Sequence, residues 1–188
     1  MKRKGWFRMQ IQITPEALET AQKILGNVSE KDAGKAISRA MNRAILAART
    51  AGTKAVRKEY VISAKDVKAD MTMKKASYTN LHASLTARGP MIDLMQFKVK
   101  IQPKGVFAQV KKGGGGIIPK AFFASTGKSA GVFHRTTTSR LPIQREFGPS
   151  IAQMFGNESV ISQMEKRSSE VLEERLAHEL DVILGGIV

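Results

Sequence analysis

Cysteine is absent from the 188 residues. That excludes disulfides, thiolate zinc sites, iron–sulfur clusters and thiol nucleophiles together. Aromatic residues are scarce, at 6%, so aliphatic and methionine side chains must fill most of the core that a hydrophobic content of 42% allows. No apolar run approaches the roughly 18–20 residues a membrane span needs. Met1-Lys2-Arg3-Lys4 is basic enough to open a signal peptide, but Trp6 to Gln10 then alternates polar and apolar, with no hydrophobic region behind it. The expectation is a soluble intracellular protein. Carboxylates are few as well. The chain has 16 Asp+Glu against 31 Lys+Arg, a formal charge of +15. A chain this basic seeks a polyanion, an acidic protein surface or an anionic membrane.

The charge is segregated. Residues 1–70 carry net +8, residues 71–145 net +12, and residues 146–188 net −5. From Leu94 to Arg145 there is no carboxylate. Opposite patches on one subunit steer association and fix orientation with copies of itself or with unlike neighbours.

Phe7, Met9, Ile11 and Ile13 alternate with Arg8, Gln10 and Gln12, the period of a half-buried strand. Thr14-Pro15-Glu16 then reads as a helix start, with Leu18, Ala21 and Leu25 on one face and Gly26 as its stop. Ser29-Glu30-Lys31-Asp32 resembles a capping box and predicts a long helix from about Ala33 to Lys58. At 100° per residue Ile37, Ala40, Met41, Ala44, Ala48, Ala51 and Ala55 share one side, while Lys31, Lys35, Arg39, Arg43, Arg49, Lys54 and Arg57 share the other. Gly52 is a weak point in that helix. Ser63 to Asp66 caps a short helix near Val67.

Alternating stretches follow at Leu81/Ala83/Leu85, Phe97/Val99/Ile101 and Val106/Ala108/Val110. Gln102-Pro103-Lys104-Gly105 supplies a hairpin turn between the last two. Gly113 to Gly116 predicts a mobile loop, and Phe122–Ala124 and Gly131–His134 two more strands. Pro142 and Pro149 bracket a turn, Ile151–Phe155 is helical, and Ser159–Leu184 forms a last long helix rich in glutamate. The reading is an α+β fold: an antiparallel sheet packed with a long Ala-rich N-terminal helix and a long C-terminal helix. One domain spans 1–188, with a strand or arm over 1–13, a helical part over 14–70, a basic sheet region over 71–140, and a Pro/Gly turn with an acidic helix over 141–188.

Sites for chemistry fail on inspection. Thr126-Gly127-Lys128-Ser129 looks like the end of a phosphate-binding loop, but Phe122 stands where that loop needs glycine. His178-Glu179 begins like a zinc-protease helix, yet Val182 occupies the second ligand position. Asp93 has no carboxylate partner in the central region, and no Gly-x-Ser-x-Gly elbow occurs. The sequence thus offers no catalytic residue, cofactor or metal site. A much weaker third reading, a hydrolase or transferase, would need Asp93, His82 or His134 gathered with a hydroxyl in one pocket. Basic strands bearing Lys98, Lys100, Lys104, Lys111 and Lys112 beside Phe97 and Phe107 fit phosphate contacts better, which gives sequence-nonspecific nucleic-acid binding as the alternative function.

The Ala-rich basic helix Ala36-Ile37-Ser38-Arg39-Ala40-Met41-Asn42-Arg43-Ala44, the following Thr50-Ala51-Gly52-Thr53-Lys54, and the basic strands form a pattern. The block Leu141-Pro142-Ile143…Phe147-Gly148-Pro149-Ser150-Ile151 and the acidic final helix complete it. From about Ile11 to Leu184 the chain resembles the prophage minor tail protein Z family, the tail-completion proteins of lambda-like phages. The resemblance implies a non-enzymatic virion component acting at the head-proximal end of the tail tube, the neck. It implies assembly in the host bacterial cytoplasm as a homo-oligomeric ring, with the tail terminator and head-completion proteins as neighbours, phage DNA within reach and no membrane. On this reading Arg39, Arg43, Lys98, Lys100, Lys111 and Lys112 contact DNA or acidic partners, and Glu173 and Glu174 form an interface.

Overall fold

The computed structural model describes residues 5–12, 29–125 and 130–185. The helix expected between Thr14 and Leu25 lies outside them. The alternation at Phe7–Ile11 gives strand β1 (Gly5–Gln12), and the capped basic helix gives α1 (Glu30–Glu59). Ser29 accepts the Asp32 N–H at 3.2 Å and donates its hydroxyl to the Asp32 carboxylate at 2.7 Å, closing the first turn. The hydrogen bond from Lys35 (2.9 Å), then that from Ser29, holds the exposed Asp32 carboxyl below the ordinary carboxylate value.

After α1 come α2 (Ala64–Ala69), β2 (Met71–Lys74), β3 (His82–Gly89), a 3-10 turn at Leu94–Gln96, β4 (Lys98–Gln102), β5 (Gly105–Gln109) and β6 (Gly116–Pro119). Then follow β7 (Phe122–Ser125), β8 (Ala130–Arg135), β9 (Ile143–Arg145), α3 (Ile151–Phe155) and α4 (Glu158–Gly185). The class is α+β, as the patterning predicts. The strands do not form one sheet, however. They divide into three antiparallel three-stranded sheets, ordered β1-β3-β2, β4-β5-β6 and β7-β8-β9. Of the Gly run expected as a loop, Gly113 to Gly115 lie outside the strands and Gly116 lies within one. Gly113 turns the chain at φ +77°, and Gly116 already begins β6, paired to Ala108. Gly115, at φ +140°, lies against the ring of Phe107, where a Cβ would approach Cζ to 2.8 Å.

One contiguous core draws on all three sheets. Ala83, Leu85 and Ala87 of β3, Val106 of β5 and Val132 of β8 meet Met41, Ile45 and Val56 of α1. The predicted apolar side of α1 is buried except Ala51, which is half-buried beside α4. Asn42 clamps the strand connection after β2. Its amide donates to the Ala76 carbonyl (3.0 Å) and accepts the Ala76 N–H (2.8 Å). Ser150 opens α3 with a capping box, and α3 sends the fully buried Phe155 against Phe7, ring centroids 5.8 Å apart.

Helices α1 and α4, far apart in sequence, pack antiparallel along their length. Arg39 reaches Glu179 at one end (3.1 Å). At the other, the Glu59 carboxylate accepts from Asn157 Nδ2 (2.7 Å) and from the Ser159 hydroxyl. Between them Gly52 faces Met164 and Phe155. The predicted stripe of α4 is buried at Val160, Met164 and Val171, while Ile183 is only half-buried.

Asp70, between α2 and β2, sits beside Gly89, and burial raises its carboxyl above the ordinary value. A raised carboxylate favours its protonated form in the folded state. Stability is therefore lost as pH rises from the ordinary value of 3.8 through the raised one. Asp70→Asn is expected to raise Tm at neutral pH and to lose that advantage below the ordinary carboxylate value, as thermal melts across pH would record.

Candidate functional site

The six predicted cations and two predicted acids are all exposed, but the fold distributes them over separate places. Arg39, on the exposed face of α1, is tied to Glu179, 140 residues away. It shares a depression of about 370 Å³ with Arg43, Leu46, Met73 and Lys75. Arg43 and Leu46 continue from there into a larger groove of about 830 Å³ between α1 and α4. Ala47, Thr50, Ala51, Ala55 and Val171 line its middle. Its flanks are Arg43, Lys54 and Lys58 from α1 with Lys166, Arg167, Glu170, Glu174 and Arg175 from α4. Arg167 and Glu170 pair at 3.0 Å. Thus the fold brings the predicted cation Arg43 and the predicted interface acid Glu174 to one groove, while Glu173 does not line it.

Lys98 and Lys112 meet elsewhere, around a hollow of about 450 Å³ that also takes in Arg57, Tyr60, Ile62 and Phe97. The segment after β5 folds back along the end of α1. Lys112 N–H donates to the Glu59 carbonyl (2.7 Å), and the Lys111 ammonium sits 5.5 Å from the centre of the Tyr60 ring. Lys100 is separate. Register pairs it with Phe107 and Phe107 with Ile117, so these three stand on one face of the second sheet. Phe97, expected beside the basic strands, is buried in the core instead, because the 3-10 turn before β4 directs it inward against Gly148.

The acids bordering the carboxylate-free stretch are engaged internally. Asp93 pairs with Arg145 and accepts the Met95 N–H at 2.8 Å. Glu146 meets His134 Nδ1 at 2.5 Å. The described residues of 94–145 therefore present lysine and arginine to solvent, and the segment's sequence holds no carboxylate to compensate them. A further cleft of about 540 Å³ between β1 and α4 is lined by Phe7–Ile11 with Ile161, Met164 and Leu172. Among the described residues that line it, Arg8 and Glu165 carry the formal charges. Among the described residues no group of three or more His, Asp or Glu could hold a metal, and no helix is long and apolar enough to cross a membrane. Asp93 and His134 are each held by a partner of their own, Arg145 and Glu146.

The groove between the helices is what sequence reasoning missed. A wheel of α1 marks its basic side, and the charge map marks α4 as acidic, but neither says that the two flank one trough. The antiparallel pairing of two helices a hundred residues apart is the missing signal. A profile of the family described as Prophage minor tail protein Z (GPZ) matches residues 16–185. No curated protein and no solved structure matches the chain.

Proposed function

The chain belongs to the prophage minor tail protein Z family and is a phage tail component, and from that we propose that it completes the tail at the head-proximal end of the tube. It acts without catalysis, as a surface fitted between neighbours. Several copies form a ring there, between the tail terminator and the head-completion proteins, after assembly in the host cytoplasm.

The observation that carries this reading is the segregation of exposed charge. Exposed cations crowd the second sheet with its turns and the outer side of α1, whereas Glu173 and Glu174 stand exposed on α4. Charges arranged this way set register and orientation between subunits more than they add raw affinity. Arg39, Arg43, Lys98, Lys100, Lys111 and Lys112 serve acidic neighbours or passing DNA, and Glu173 with Glu174, the latter at the rim of the groove between α1 and α4, takes part in an interface.

The test is Glu173→Lys with Glu174→Lys in the phage. Both side chains are exposed, so each change should alter stability by no more than about 0.5 kcal/mol, and the purified variant should melt as the wild type does. Incorporation into tails and infectious titre should each fall by about tenfold or more, equivalent to roughly 1.4 kcal/mol of lost association. Normal incorporation and titre would remove the acidic interface from the account.

A further inference from the structure

The trough between α1 and α4 has the form of a helix seat. On α1 one row of side chains spaced by four runs Arg43, Ala47, Ala51, Ala55, and the next runs Leu46, Thr50, Lys54, Lys58. On α4 the facing row is Gln163, Arg167, Val171, Arg175. Rows at this spacing are the ridges between which another helix packs, and alanine along the inner row lets its backbone come within the usual 8–10 Å. From Arg43 to Lys58 the seat is about 22 Å long, at 1.5 Å per residue, or some four turns. Among the described residues, its lining comes from α1 and α4 alone. Leu46 stands at its edge with 41% of its surface exposed, a large apolar side chain among cations.

We infer that this groove receives an acidic amphipathic helix from an unlike tail protein, with the apolar stripe of that helix on Leu46, Ala51 and Val171 and its carboxylates against the flanking cations. Charge selects the occupant. Among the described residues the groove carries six cations against two carboxylates, a net of +4. Two copies of this chain placed groove to groove would oppose like charge along the whole seat. Duplex DNA would answer the cations but leave the apolar middle of the trough, recessed between two helices, without a partner. An acidic amphipathic helix satisfies both features, the mode in which a helix lays its apolar face into a groove and is read at i, i+4 anchors.

This inference rests on the tail reading, and the experiment separates the two. A photo-crosslinking benzoylphenylalanine is placed at Leu46 of the full chain in phage-producing cells, and tails are purified, assayed for the protein and irradiated. The expected product joins Leu46 to a glutamate- or aspartate-rich helical segment of another tail protein, identified by peptide mass spectrometry. Arg43→Glu with Lys54→Glu should cut its yield by about tenfold, as loss of paired charge at the centre of an interface does. A crosslink to this chain itself or to DNA, or no crosslink in tails that contain the protein, overturns the helix seat and leaves the tail reading intact. Absence of the protein from tails overturns both. The circular dichroism of the double variant, expected to be unchanged, distinguishes loss of docking from loss of fold.

Discussion

Phe155→Ala will cost the fold about 3–5 kcal/mol, the range found when a fully buried phenylalanine is truncated. The side chain has no exposed surface, stacks on Phe7 and reaches toward Gly52, so it joins β1, α3 and α1 at one point. Collapse around the missing ring is restricted, because Ile151, Met154 and Met164 beside it are themselves fully buried in regular helices. Domains of this size are stable by only about 5–15 kcal/mol. A loss of this size should lower the urea midpoint strongly and remove most of the protein from tails at growth temperature. A change under about 1 kcal/mol would mean that the α3 wedge is not where the core is anchored.

Gly52→Val is the second large effect, and its sign reverses a conclusion from propensity. On helix propensity alone, replacing a mid-helix glycine should help, by up to about 1 kcal/mol for alanine. Here a Cβ would lie 2.6 Å from both Met164 Sδ and Phe155 Cε1. Overpacking of this kind costs typically about 1–3 kcal/mol, and the branched valine side chain has no direction of escape between two helices. Gly52→Ala should be milder, since Met164 can shift and the propensity gain offsets part of the clash. Chemical denaturation of the two variants decides the matter: equal or raised stability for Gly52→Val would mean that α1 and α4 do not close on each other at this glycine. Residues in contact couple. Gly52→Ala should therefore cost less in a Phe155→Leu background, where the smaller side chain leaves room, than in the wild type.

Gly52 illustrates how far the sequence can be read. Local rules identify it as a weakness in α1, and only the arrival of α4, over a hundred residues later, gives it a purpose. Elements whose causes are local are legible. Ser29, Ser63 and Ser150 mark the starts of α1, α2 and α3, and Pro103-Lys104-Gly105 marks the β4–β5 turn. The strands that patterning does not resolve are β2, β6 and β9, each three or four residues long and each at the edge of its sheet. Such strands are too short to establish a period, and β6 contains both glycine and proline, which otherwise argue against a strand. Division into three sheets follows from which strands pair, a long-range property that alternation does not carry.

The candidate contact residues follow the same logic. Composition and wheel place Arg39, Arg43, Lys98, Lys100, Lys111 and Lys112 on the surface, and all of them are exposed. Their grouping depends on tertiary structure. Arg39 is engaged by Glu179, Lys98 and Lys112 share a hollow with Arg57, and Arg43 joins Glu174 in the helix groove. The family pattern is legible because it is spread over nearly the whole chain, from the Ala-rich helix to the Leu141–Ile151 block, and does not rest on one motif.

On the function proposed above, this chain works by occupying a place at the head-proximal end of the tail. Electron microscopy of purified phage carrying a small density label on this subunit tests that most directly. The account predicts label at the junction of tail and head, in a fixed number of copies and in every complete particle. Label distributed along the tube, confined to the distal tip, or missing from infectious particles would contradict it.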